Sequence, residues 1–190
     1  MVRSPLRLLP VLFVMVLASC GGGGSSPSAT PAPSVSPGGF TSSDFTTVVP
    51  AGWSDETQNQ NVVAAVSVDG TVLMLLIAPP TQSNVLDEHI DVSTVSTPVP
   101  DDQLSGYLQS VSQRGANNLT VPKTFNLDGV SGLFIAYSYT PSGGVTHRIQ
   151  DMVLNRNSTT YEIVLNTAAT DFPGQQPALQ QVLNAWHWTS

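Results

Sequence analysis

The feature that most constrains this chain is the rhythm of its second half. Short runs rich in β-branched and aromatic residues alternate there with hairpin-length turns. Leu119 to Phe125, Leu133 to Tyr139, Val145 to Leu154 and Thr160 to Leu165 read as strands. Between them lie Asn126-Leu127-Asp128-Gly129, Pro141-Ser142-Gly143-Gly144 and Asn155 to Ser158. Connections this short cannot hold a crossover, so they impose antiparallel pairing. Pro122 has no amide hydrogen to give a ladder, which predicts an edge position for the first of these strands.

The first half carries weaker signals. Phe45-Thr46-Thr47-Val48-Val49 reads as a strand stopped by Pro50-Ala51-Gly52-Trp53. Asn61 to Val68 and Thr71 to Ala78 predict two strands joined at Asp69-Gly70, a tight-turn pair. The run from Val72 to Ile77 is apolar on both faces, as in a strand covered on both sides. Thr81 to Glu88 reads as a loop and His89 to Val95 as a short strand. Asp101 or Asp102 offers an N-cap for a helix to about Gln113, with Leu104, Leu108 and Val111 on one face and Gly115 closing it. At the far end Leu179, Val182, Leu183 and Trp186 fall at helical spacing, with Pro177 suited to the first turn. Strand runs with segregated helices predict an α+β sandwich.

The chain begins differently. Arg3 and Arg7 precede an apolar run from Leu8 to Leu17, which is shorter than the roughly 20 residues that span a bilayer. It ends at Leu17-Ala18-Ser19-Cys20, and Cys20 is the only cysteine. This run resembles the lipobox of bacterial lipoproteins. The resemblance implies cleavage before Cys20, a diacylglycerol thioether on it, and a domain anchored to the cell membrane outside the cytoplasm. With Cys20 acylated, no thiol remains for disulfides, thiolate catalysis or a cysteine metal site. Three segments follow: a signal at 1–19, a Gly/Ser/Pro tether at 20–43 too poor in apolar residues to fold, and a globular domain at 44–190. Processing removes two of the 6 basic residues and none of the 13 acidic ones, so the formal net charge moves from −7 to −9. An acidic domain of this kind repels nucleic acid and anionic lipid surfaces.

Val49-Pro50-Ala51-Gly52-Trp53 after a strand resembles the opening of PsbP-like domains. Asp128-Gly129 with its following strands, and Thr167 to Trp188 with Asp171-Phe172 leading into a helix that ends Ala185-Trp186-His187-Trp188, resemble their closing half. The resemblance implies an antiparallel sheet sandwiched by helices. It brings neither shared catalytic residues nor a cofactor. The family includes an extrinsic photosystem subunit, a Ran-binding protein and many bacterial lipoproteins.

Few residues point to chemistry. Asp87, Glu88, His89 and Asp91 form a polar cluster that could hold a metal or be a solvated loop. His147 and Asp151 share a strand face, as an acid/base pair or as a plain polar face. His187 stands at a helix end, where a cation favours the dipole. Trp53, Trp186 and Trp188 could line a ligand groove or pack between sheet and helix. No nucleophile elbow occurs, since Gly129-Val130-Ser131-Gly132 is one residue short and begins a strand. Three functions follow in order. The first is a non-enzymatic envelope module that binds or assembles a protein partner. The second is a carrier of an apolar or glycolipid ligand, and the third a hydrolase whose residues meet only in space.

Overall fold

A computed structural model describes residues 37–66, 70–80, 88–142 and 144–189. Within the compact unit Ser34–Ser190 the chain runs β1 (Gly38–Thr41), β2 (Phe45–Val49), β3 (Ser54–Asp55), α1 (Gln60–Val66), β4 (Thr71–Ile77) and β5 (His89–Thr94). Then come α2 (Leu104–Gln109), flanked by 3-10 turns at Asp101–Gln103 and Ser110–Arg114, and β6 (Lys123–Leu127). The last elements are β7 (Val130–Tyr139), β8 (His147–Arg156), β9 (Thr159–Ala168), α3 (Phe172–Asn184) and β10 (His187–Trp188). Seven strands form one sheet in the order β3-β4-β5-β9-β8-β7-β6, and β1-β2-β10 form a small second sheet. Every pairing is antiparallel. The signal at 1–19, with Cys20, lies outside the described residues, as does the tether up to residue 36.

The large sheet is covered on both faces. On one face α3 and β2 bury Leu179, Val182, Phe45 and Trp186 against Met74, Leu76, Ile90, Ile163 and Leu165. On the other, Leu104, Leu108 and Val111 pack on Ile135 and Val153. This is the helix-sandwiched α+β arrangement. β4 is buried on both sides at Met74, Leu75 and Leu76. β6 takes the sheet edge, and Pro122 immediately precedes it. Asp128 and Gly129 both have positive φ (45° and 85°) and close the β6–β7 hairpin. Gly115 ends the helical segment at φ 89°.

Several expectations need correction. Residues 60–66 are helix, not strand. On the side of β4 away from β5, β3 pairs with Leu76 and Ile77 and the Glu56 amide and Thr57 hydroxyl bond to Leu75, which leaves residues 60–66 outside the ladder. The Asn59 carbonyl instead accepts the amides of Val62 and Val63 (3.0 and 2.9 Å) and starts a helical turn. Asp69 lies outside the described residues. Gly70 serves a close approach, since a methyl there would overlap the Thr94 carbonyl oxygen. The ordered fold begins before residue 44: β1 pairs with β2 inside the stretch read as tether, and Phe40 stacks on Phe45 at 5.9 Å. The strand expected at 119–125 is shifted to 123–127. Neither Asp101 nor Asp102 caps the helical segment through its side chain, and Asp101 Oδ1 accepts from Asn155 Nδ2 at 2.6 Å. Pro173 stands in the first turn of α3, and Pro177 lies inside the helix. The buried stripe of α3 is Ala178, Leu179 and Val182, with Leu183 half-buried beside it. The helix stops at Asn184, and His187 and Trp188 pair with β2 as a strand. Trp188 is held there by its amide donating to Asp128 Oδ2 (2.9 Å) and its Nε1 donating to the Leu127 carbonyl (3.2 Å).

Candidate functional site

Alternation along three neighbouring central strands builds the site. Tyr161, Ile163 and Leu165 of β9 join the core beneath α3. Glu162, Val164 and Asn166 therefore point to the opposite face. On β8 the same phase carries His147, Ile149, Asp151 and Val153, and on β5 it carries His89, Asp91 and Ser93. The register puts Asp91, Val164 and Asp151 in one row across β5, β9 and β8. Ser93, Glu162 and Val153 form the next row, and His89, Asn166 and Ile149 the one on the other side. Three acidic side chains thus converge from three strands under the helices.

They enclose a cavity of about 190 Å³. Its lining includes His89, Asp91, Asp151 and Glu162 from the sheet, Tyr107 and Arg114 from the helical segment, and Val66 from α1. Asp91 and Asp151 are only 3% and 2% exposed. Asp91 Oδ1 lies 3.4 Å from His89 Nε2, while Asp91 Oδ2 is buried with no hydrogen-bond partner among the described residues. Glu162 Oε2 accepts from the Tyr107 hydroxyl at 3.1 Å.

The electrostatics follow from crowding acids in a dry place. Burial pushes the Asp151 carboxyl well above the usual carboxylate range. The charge of Glu162, a hydrogen bond between the two carboxyls and the charge of Asp91 all push the same way. Glu162 is also raised, by burial and then by Asp91, with its hydrogen bonds to Tyr107 and Asp151 opposing. Burial and mutual repulsion thus disfavour ionising both members, and the titration belongs to the pair. The phenols of Tyr107 and Tyr137 are raised by burial first and by Glu162 and Asp151 after it. Such a site can accept hydrogen bonds from a donor-rich or cationic group and can hold a proton for exchange.

The residues singled out from sequence fare differently. The 87–91 cluster is split by the strand's alternation. Glu88 is buried on its own, with Oε1 accepting the Ala168 amide at 2.9 Å, while His89 and Asp91 enter the cavity; Asp87 lies outside the described residues. Among the described residues no three His, Cys, Asp or Glu side chains are grouped to hold a metal ion. His147 does not pair with Asp151; its Nδ1 is hydrogen-bonded to Asn166 Oδ1 at 2.8 Å. His187 is on a strand, with Nδ1 3.7 Å from Asp128 Oδ1. Trp186 is 2% exposed and stacks on Phe45 with ring centroids 3.9 Å apart. Trp188 packs on Tyr161 (5.1 Å) under the Arg156 guanidinium (4.7 Å), and Trp53 is 9% exposed in the same core. All three indoles pack at the junction of the two sheets and α3. Glu162, Tyr107 and Arg114 escaped sequence reasoning, because only the register brings them to Asp91 and Asp151.

The architecture is that of the PsbP-like fold. The chain superposes on the solution structure of cyanobacterial PsbP (CyanoP) from Synechocystis sp. PCC 6803 with a TM-score of 0.54. That match has 15% identity and covers 90% of this chain and 98% of the other. It is similar also to LpqN of Mycobacterium tuberculosis, a protein described as involved in cell envelope biogenesis. There the TM-score is 0.54 at 11% identity, covering 82% of this chain and 90% of that one. No family model and no curated protein matches the chain. At these identities the likeness establishes the fold.

Proposed function

We propose that this protein is a lipoprotein of the cell envelope. A diacylglycerol thioether on Cys20 holds it to the membrane outside the cytoplasm, and it works there as a non-enzymatic module that binds or assembles an envelope protein. The observation that carries the reading is the lipobox-like Leu17-Ala18-Ser19-Cys20, joined to a fold shared with a protein of cell envelope biogenesis. No helix of the described residues is long and apolar enough to cross a membrane, which accords with an anchor supplied by lipid. Anchoring would raise the effective concentration of the module and a membrane-bound partner.

The crowded pair Asp151 and Glu162 favours a second reading, an acid–base enzyme, because neighbouring carboxyls with raised titrations mark many such sites. Against it, His147 bonds to Asn166 and not to either carboxyl. The cavity is also below the about 300 Å³ at which ligand pockets usually begin.

Cells expressing wild type and Cys20→Ala are labelled with a fatty-acid probe, fractionated and cross-linked. Wild type should label, stay with membranes and capture an envelope protein; Cys20→Ala should lose the label and most of the capture. Equal labelling and membrane retention of the variant would refute the anchor. Turnover of ester, phosphate or glycoside probes that disappears with Asp151→Asn would put the enzyme reading first.

A further inference from the structure

We propose that the cavity between the polar sheet face and the helices α1 and α2 binds a small organic cation through a primary ammonium group. Asp91 is the first ground. Its carboxyl is 3% exposed and lines the cavity, and Oδ2 has no hydrogen-bond partner among the described residues. A buried charged acceptor left unpaired costs several kcal/mol in general, so such groups are matched by donors. Asp151 Oδ1 is likewise buried with no hydrogen-bond partner among the described residues, whereas Glu162 Oε2 accepts from Tyr107, so two open carboxylate oxygens belong to residues lining one cavity.

Charge is the second ground. Asp91, Asp151 and Glu162 face the cavity, and Arg114 is its one permanent cation. Three acidic groups facing one guanidinium leave an excess of acidic character that an ammonium group can balance. Size and walls define the rest. The cavity of about 190 Å³ holds roughly six times the volume of a water molecule in the liquid. A short alkyl chain fits beside Val66, Ile149 and Val164, and the rings of Tyr107 and Tyr137 offer faces to a cation. A phosphate, carboxylate or other anion is repelled.

The full chain, solubilised in a neutral detergent with its aspartate and glutamate carboxyl carbons labelled, is titrated with n-propylammonium chloride and followed by NMR. The carboxyl resonances of Asp91 and Asp151 should move with saturation. The neutral isostere n-propanol should bind at least about tenfold more weakly, as should Asp91→Asn, the loss expected for a charge-assisted hydrogen bond. Asp102→Asn, on the surface away from the cavity, should bind like wild type. Affinity should fall on acidification, as Asp151 and Glu162, both raised by burial, take up protons. The other titratable or charged groups facing the cavity are His89 on β5, Tyr137 on β7, and Tyr107 and Arg114 on the helical side. If Asp91→Asn does not fold, Asp91→Ser, which also removes the charge, replaces it with the same expectation. Four results would each overturn the site: no resonance movement, an equal response to n-propanol, an equal response to sodium chloride at matched ionic strength, or unchanged affinity in the aspartate variant. Neither the anchor nor a protein partner enters this assay, so its failure leaves the envelope reading standing.

Discussion

Leu179 is where the packing of α3 can be measured. Its side chain is 1% exposed in the core beneath the helix, whereas Leu183, one turn on, is half-buried and Gln181 is exposed. Leu179→Ala removes three carbons, which at about 0.8 kcal/mol per buried methylene is roughly 2.4 kcal/mol of transfer energy. Roughly 40 Å³ of unrelaxed cavity at about 24 cal/mol per Å³ adds about 1 kcal/mol. A loss of roughly 3 kcal/mol follows, and in a domain of this size it should lower Tm by about 6–12 °C. Leu183→Ala gives up only part of the same burial and should cost about 1–1.5 kcal/mol. Gln181→Ala should stay within about 0.5 kcal/mol. Thermal unfolding followed by circular dichroism, on chains that also carry Cys20→Ala, ranks the three. Equal shifts for Leu179→Ala and Gln181→Ala, or a larger one for Leu183→Ala, would refute the way this helix lies on the sheet.

Two further outcomes follow from the backbone and the buried acids. Gly70→Ala should cost more than about 2 kcal/mol, because φ is 129° and the new methyl would meet the Thr94 carbonyl. Gly129→Ala, at φ 85° with open space around it, should cost only about 1–2 kcal/mol, and urea midpoints that reverse this order would contradict the β4–β5 approach. Asp151 and Glu162 hold protons in the folded state that the unfolded chain releases near pH 4. Their contribution is therefore full below that pH and lost as pH rises through the raised folded range. Asp151→Asn, which cannot ionise and can donate to Glu162, should be as stable as wild type or more so at pH 7 and should flatten the decline between pH 4 and 7. A variant less stable than wild type at pH 7 with an unchanged slope would show that Asp151 is already ionised and well solvated there.

What the sequence reveals of this molecule is what neighbouring residues decide among themselves. The β6–β7 and β8–β9 hairpins are legible because their turns need particular residues: Asp128-Gly129 for positive φ in the first, Asn157 and Ser158 for the same reason in the second. The stripe on α3 is legible from spacing, although one buried place belongs to Ala178, whose small side chain gives little signal, and not to Leu183. Residues 60–66 mislead because a run of Val and Ala at this length satisfies either period. The decision shows in the Asn59 carbonyl, which accepts the amides of Val62 and Val63 and starts a helical turn. β10 is invisible, since its two residues are strand only by pairing with β2 at the other end of the chain.

The acidic cavity is the most instructive loss. Asp91, Asp151 and Glu162 each occupy the polar phase of an alternating strand, and alternation in an antiparallel sheet ordinarily means one face in water. Here α1 and α2 cover that face, so the same pattern that would solvate a carboxylate buries it. Covering an outward face with helices while leaving acids on it sacrifices stability, which Leu or Val at the same three positions would have supplied. Further along the same rows, Ile135 beside Asp151 and Val153 beside Glu162 do supply it where they pack with Leu104 and Leu108. The helical cover is thus built to two specifications on one sheet. It is oily where α2 crosses β7 and β8, and acidic where the cover passes over β5 and β9. A fold needing only to be held together would extend the first across the whole face, and it is on the second that the proposed cation site rests.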